Sequence, residues 1–230
     1  MSEKLILAGQ MHRWPYVILF VALGCASSVS PSAPSSLARQ KPASPPVAPT
    51  ETDEYTRYEL LAPETAQFAI FYEVTAIAPG ATVFFNPIRK GSVASNERVT
   101  DQMTGERLRF EQVSGEEARR SGLADAELDT DYIRIHLPRA VPADGGQVRL
   151  LIEKTYKDAK SYFQQGEDIV FTRSLSIRRN SVVLPKGYEL VACNVPSQVL
   201  SDPDGRIRIS FMNPGPGEAP LELRARRIAR

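Results

Sequence analysis

From residue 55 onward, apolar side chains recur at every second position in short runs broken by glycine and proline. That period belongs to strands with one buried face. The run 67–75 places Phe68, Ile70, Tyr72 and Val74 on one face. A second run, 81–85, follows Pro79-Gly80 and stops at Asn86-Pro87. In 107–113 the alternation turns Leu108 and Phe110 inward. Residues 114–123 are the one helical candidate: Ser114 with Glu117 three positions on makes a capping box, and Gly122 supplies a stop. The run 132–137 alternates cleanly, with Ile133, Ile135 and Leu137 inward and Arg134 and His136 outward. Further strands are predicted over 147–156, 167–177, 180–184, 188–193, 206–211 and 221–226. Asp202-Pro-Asp-Gly205 introduces the strand at 206 as a hairpin turn. About ten strands with turn signals between them and a single short helix predict an all-β, antiparallel β-sandwich. The βαβ alternation of a parallel sheet is absent.

The N-terminal quarter has a different pattern. An apolar run from Trp14 to Leu23 follows the basic pair His12-Arg13 and ends at Gly24-Cys25. At 1.5 Å per residue this run is much shorter than a bilayer core of about 30 Å. It matches the apolar core of an export signal instead. Residues 1–10 are an awkward preface containing Glu3, so translation is expected to begin at Met11. Residues 22–25, Ala-Leu-Gly-Cys, resemble the lipobox of bacterial lipoproteins. Gly24 and Cys25 match it, whereas Ala22 and Leu23 invert the usual order of large and small side chains. The resemblance implies a lipid on Cys25 and, with Ala26 next, transfer to the outer membrane where the organism has one. The competing reading is cleavage by the ordinary signal peptidase after Ala26 or Ser28.

Residues 26–54 carry six of the chain's 18 prolines and show no apolar period. Such a composition cannot bury enough surface to offset the entropy of ordering, and proline keeps it extended. The expectation is a tether, with recognition of its proline-rich stretch by an aromatic groove as the alternative. The chain thus divides into a signal peptide (1–24), a lipidated cysteine and tether (25–54) and a β-sandwich domain (55–230).

Charge narrows the possible partners. Without residues 1–24 the chain keeps 26 basic and 26 acidic side chains. A nucleic-acid binder needs a basic excess for its phosphate contacts, so nucleic acid is not an expected partner. Cys25 and Cys193 are the two cysteines. With Cys25 acylated on sulfur, Cys193 is the remaining thiol, and residues 190–193 read as a buried strand. His136 is the one histidine beyond the signal, and no Gly-x-Ser-x-Gly elbow accompanies it. The fold offers too few His and Cys ligands for zinc. Neither a Walker-type loop nor a dinucleotide fingerprint follows any strand. Asp202 and Asp204 are turn chemistry, and Asp125, Asp129 and Asp131 form an acidic loop without the pattern of an EF-hand. The expectation is therefore no catalytic residue, no metal and no cofactor. Arg224, Arg226, Arg227 and Arg230 read as the solvated face of an edge strand.

One surface-binding candidate stands out in 154–163, where Lys154, Tyr156, Lys157 and Tyr162 mix cations with aromatics ahead of Arg173, Arg178 and Arg179. Such a mixture suits a platform for glycan or peptide. The simpler reading buries Tyr156 and Phe163 and leaves the lysines on a turn.

The stretch 168–196, from Asp168-Ile-Val-Phe-Thr-Arg through Val191-Ala-Cys-Asn-Val-Pro196, resembles the N-terminal β-domain of gluzincin-type aminopeptidases. In those enzymes the domain is a β-sandwich scaffold ahead of the catalytic part. The His-Glu-x-x-His zinc helix has no counterpart here, so no catalytic residue carries over. The resemblance implies the fold together with a binding or scaffolding role. Together with the signal, the sequence leads to a non-enzymatic, lipid-anchored module that binds an envelope protein or glycan. The alternatives are an accessory domain of a hydrolase or peptidase whose catalytic part is encoded elsewhere, and a purely structural envelope protein.

Overall fold

The structure is a computed structural model that describes residues 53–215 and 217–229. The signal peptide, Cys25 and nearly all of the tether lie outside the described residues. Fourteen strands form, in chain order: β1 (Glu54–Leu60), β2 (Gln67–Ala76), β3 (Val83–Pro87), β4 (Val93–Asp101), β5 (Phe110–Ser114), β6 (Asp131–His136), β7 (Val148–Lys157), β8 (Tyr162–Gln165), β9 (Asp168–Leu175), β10 (Arg179–Val183), β11 (Tyr188–Cys193), β12 (Gln198–Ser201), β13 (Ile207–Met212) and β14 (Ala219–Arg227). The single α-helix, α1, spans Gly115–Arg120. The Ser114 half of the expected capping box forms, with the Glu117 backbone N–H donating to Ser114 Oγ at 3.3 Å, while the Glu117 carboxylate instead accepts from Ser121 Oγ and Arg134 Nη1, each at 3.2 Å.

The strands build a seven-stranded sheet (β12-β13-β10-β1-β2-β7-β4), a four-stranded sheet (β11-β14-β9-β8) and a three-stranded sheet (β3-β6-β5). The fold is all-β, as the period-two pattern implies. The inward set Phe68, Ile70, Tyr72 and Val74 is buried as expected. Across the sandwich, Phe171 of β9 meets Tyr58 of β1 at 5.5 Å and Phe68 of β2 at 5.2 Å between ring centroids. Those contacts join the large sheet to the four-stranded one, while Ile133 and Ile135 bring the three-stranded sheet into the same core.

Several expectations need correcting. β1 and β10 pair in parallel, so the large sheet is mixed. Four strands were not anticipated. β1 and β4 are rich in polar residues, and β4 is interrupted by a bulge between Ser95 and Arg98, with Asn96 at φ +55°. β8 and β12 have only four residues each. Phe110 lies on the exposed side of β5, where Val113 is the inward residue. The 190–193 strand is the outer strand β11 and is not buried: Val191 is exposed and Cys193, a free thiol, is half-buried. β14 is an inner strand, flanked by β11 and β9. Its outward Arg224 and Arg226 pair with Glu222 (3.1 Å) and Asp168 (2.8 Å).

Candidate functional site: a cleft floored by two buried cations

In β7, positions 148, 150, 152, 154 and 156 all point inward, so Lys154 occupies a core position between Ile152 and Tyr156. β9 does the same with Ile169, Phe171, Arg173 and Leu175. The two sheets therefore each aim one cation into the space between them. Lys154 and Arg173 are only 6% and 7% exposed, a burial that charged side chains seldom reach without a partner.

Both cations face aromatic rings. Lys154 Nζ lies 5.0 Å and Arg173 Cζ 5.4 Å from the centroid of the same Tyr156 ring. Arg173 also stands over Tyr58 (5.8 Å) and Phe68 (5.4 Å). Cross-strand register explains the common floor: Tyr58 is opposite Ile70, Ile70 opposite Lys154 and Phe68 opposite Tyr156. Ring quadrupoles attract a desolvated cation, which offsets part of the cost of burying it.

Their polar partners are few. Lys154 Nζ donates to Asn86 Oδ1 at 2.6 Å, and among the described residues no carboxylate forms an ion pair with it. Burial, and secondarily the like charge of Arg173, pull the Lys154 pKa down to about 7, against a weaker pull upward from Glu97. Arg173 Nη1 reaches Asp158 Oδ2 at 3.5 Å, a long contact. Asp158 is already engaged, accepting from the Ser161 hydroxyl at 2.7 Å and from Ser92 Oγ at 3.1 Å. Burial raises the Asp158 pKa, but these bonds outweigh it and hold the carboxyl below its usual range. Burial likewise lowers the Arg173 pKa, although a guanidinium stays charged.

Lys154 and Arg173 line one cleft of about 760 Å³, together with Tyr58, Tyr72, Tyr156 and the start of β1. Its remaining wall comes from residues 86–90 at and beyond the end of β3, from residues 174–177 at the end of β9, and from the loop that leads into β6. A second small core holds that loop: Val113, Ala118, Ala126 and Tyr132 pack together, and Glu127 N–H donates to Tyr132 Oη at 2.9 Å. The exposed acids Asp125, Glu127 and Glu218 border the cleft, where Lys90 already bridges Glu127 (3.0 Å) and Asp129 (2.8 Å). Thr56 also lines it, 1% exposed, with an Oγ1 that has no hydrogen-bond partner. A buried hydroxyl in that state costs about 1–3 kcal/mol.

Of the four surface candidates, Lys157 alone is exposed. Lys154, Tyr156 and Tyr162 are buried, so the expected open platform does not form. Strand parity is the reason, since even-numbered residues of β7 face inward. Tyr162 packs inside and donates its hydroxyl to Leu61 O at 2.9 Å, while Phe163 is half-buried. Lys154 and Tyr156 instead meet Arg173 inside the cleft. Sequence reasoning placed Lys154 and Arg173 on a surface because of residue type. The parity of Leu150, Ile152, Lys154 and Tyr156 was the signal for Lys154. Of the acidic triplet, Asp125 and Asp129 lie in the loop before β6 and Asp131 opens that strand; among the described residues no group of three or more His, Cys, Asp or Glu could hold a metal.

No family model matches the chain, and no curated protein matches it. Among solved structures, it is similar to a two-domain M1 zinc metallopeptidase bound to L-tryptophan, with TM-score 0.47, 12% identity, and coverage of 78% of this chain and 43% of that one. It is similar to the M1 zinc metallopeptidase of Deinococcus radiodurans, with TM-score 0.46, 12% identity, and coverage of 76% and 42%. An aminopeptidase N family protein of Idiomarina loihiensis gives TM-score 0.42, 10% identity, and coverage of 75% and 29%. All three are met at low identity and partial coverage. The chain spans less than half the length of each.

Proposed function

We propose that this protein is a binding module of the bacterial cell envelope, held to the membrane by a lipid on Cys25 and without catalytic activity of its own. The observation that carries the binding role is the cleft in which Lys154 and Arg173 are buried with so little anionic compensation. A protein does not retain such a pair for stability, because apolar replacements of buried charges are often neutral or stabilising. The anchor rests on the layout of residues 11–25, and the tether on the composition of 26–54. The partner class is an envelope protein, a glycan or a ligand derived from one.

Two measurements test this reading. Cells fed an alkyne fatty acid are expected to yield labelled mature protein, beginning at Cys25, in the membrane fraction. Cys25→Ser should lose both the label and the membrane association, and a variant that kept both would overturn the anchor. Hydrolase screening of the purified full chain should give no turnover. Reproducible turnover abolished by a point substitution would remove the binding-module reading.

A second reading, an accessory domain serving a peptidase encoded elsewhere, is favoured by the sequence likeness of residues 168–196. Crosslinking in intact envelopes that captured a zinc peptidase would support it.

A further inference from the structure

We infer that the cleft between β1, β7 and β9 is a binding site for a small organic monocarboxylate, whose carboxylate lies against Lys154 and Arg173. This inference rests on the binding-module reading and names its ligand class. Charge selects the anion. Of the buried charges at the floor, Lys154 and Arg173 are cations and Asp158 stands behind Arg173, so with Lys154 protonated the floor carries one positive charge in excess, while at the rim Arg89 and Lys90 face Glu54, Asp125, Glu127 and Glu218. A monoanion matches that excess. A phosphate dianion would overshoot it and would also face the repulsion of Asp125, Glu127 and Glu218 at the border.

The chemistry of the donors agrees. Arg173 offers a planar fork suited to a carboxylate, and Lys154 has spare N–H donors beyond the one given to Asn86. An anion there would relieve both the burial and the like-charge repulsion that depress the Lys154 pKa. The walls suit an organic body more than a bare ion, because Tyr58, Tyr72, Tyr156, Ile70 and Ile88 supply rings and methyl groups. Thr56 belongs to β1, two strands from β7 across the sheet, which is roughly 10 Å at the usual strand spacing. Its unpartnered Oγ1 is therefore left for a polar group on the ligand's body, not for the carboxylate.

The test uses the full chain purified in detergent, followed by calorimetric titration and thermal melts. The probes are N-benzoylglycine, its neutral amide N-benzoylglycinamide, acetate and inorganic phosphate. N-benzoylglycine should bind and raise the melting temperature, while the amide and phosphate should bind at least tenfold more weakly. Acetate, which has the charge but no body, should also bind more weakly. Lys154→Met should lose tenfold or more in affinity. Thr56→Val, a change of nearly constant volume that removes the orphan hydroxyl, should fold normally and lose about threefold for probes with a polar body. Equal binding of acid and amide, tighter binding of phosphate, or unchanged affinity in both variants would overturn the carboxylate site. No binding of either carboxylate would overturn it as well. Each of those results leaves the binding-module reading in place, because that reading falls to turnover and not to a failed titration.

Discussion

Lys154 is the residue whose protonation most directly couples the cleft to stability. Its folded pKa of about 7 lies below the ordinary lysine value of 10.5. Between those values the unfolded chain binds more protons, so stability should rise with pH across that window. The groups acting on Lys154 are Arg173 and Tyr156, Asn86 opposite it, and Glu97 at longer range. Arg173 stays charged throughout. Tyr58, Tyr72 and Tyr156 have pKa values raised by burial, and their contribution falls away only above the ordinary tyrosine pKa. Glu54, raised by burial, acts in the acid range. Urea unfolding at pH 6 and pH 9 should therefore differ by about 3 kcal/mol in favour of pH 9, at about 1.4 kcal/mol per pH unit. In Lys154→Met that difference should vanish. A wild-type protein equally stable at both values would show that the lysine is not held depressed.

At the scale of elements, the short helix α1 matters because it props the loop that walls the cleft. Gly115 opens the helix, and a Cβ placed there would meet Glu127 O at 2.0 Å and Leu128 Cα at 2.8 Å. Helix propensity alone would make Gly115→Ala stabilising by roughly 1 kcal/mol. The backbone clash reverses that sign, because the atoms in the way cannot rotate aside. The variant should lose about 2 kcal/mol in chemical denaturation, within the range seen for overpacking. It should also displace the Asp125–Thr130 border of the cleft and so change ligand affinity without touching Lys154 or Arg173. β7 and β9 show the other element-scale lesson. Each is a regular strand whose inward row is interrupted by one cation, and the two interruptions meet.

For the molecule as a whole, the two larger sheets are joined by a ring cluster of Tyr58, Phe68, Tyr156 and Phe171. Phe171 is fully buried and touches both Tyr58 and Phe68. Phe171→Ala should destabilise the fold by about 3–5 kcal/mol, the range for a large core side chain cut to alanine. A thermal melt that moved by less than a degree or two would show that the sheets are coupled elsewhere. Three of these rings, Tyr58, Phe68 and Tyr156, lie under Arg173, and Tyr58 and Tyr156 line the cleft. Ligand binding is therefore expected to stabilise the whole domain, not one loop, which thermal melts with and without N-benzoylglycine will read.

Much of this was legible in the chain before any tertiary contact. The inward rows of β2 and β6, the Ser114 cap and the Asp202–Gly205 turn are local, set by alternation and by the side-chain chemistry of neighbouring residues. They were found where the pattern put them. The strands it missed, β1, β4, β8 and β12, are held by pairing with β2 and β10, β7, β9 and β13, which a polar or four-residue segment does not announce. The cleft is a different matter. Lys154 and Arg173 lie on different strands, and residue type marks both as surface. Only the packing of two sheets turns them toward one ring, Tyr156, and leaves Thr56 without a partner farther along the same cleft. Local alternation determined which face looks inward in strands with a continuous apolar row, such as β2 and β6; the stacking of the sheets decided which inward residues meet, because that depends on register and pairing between distant segments.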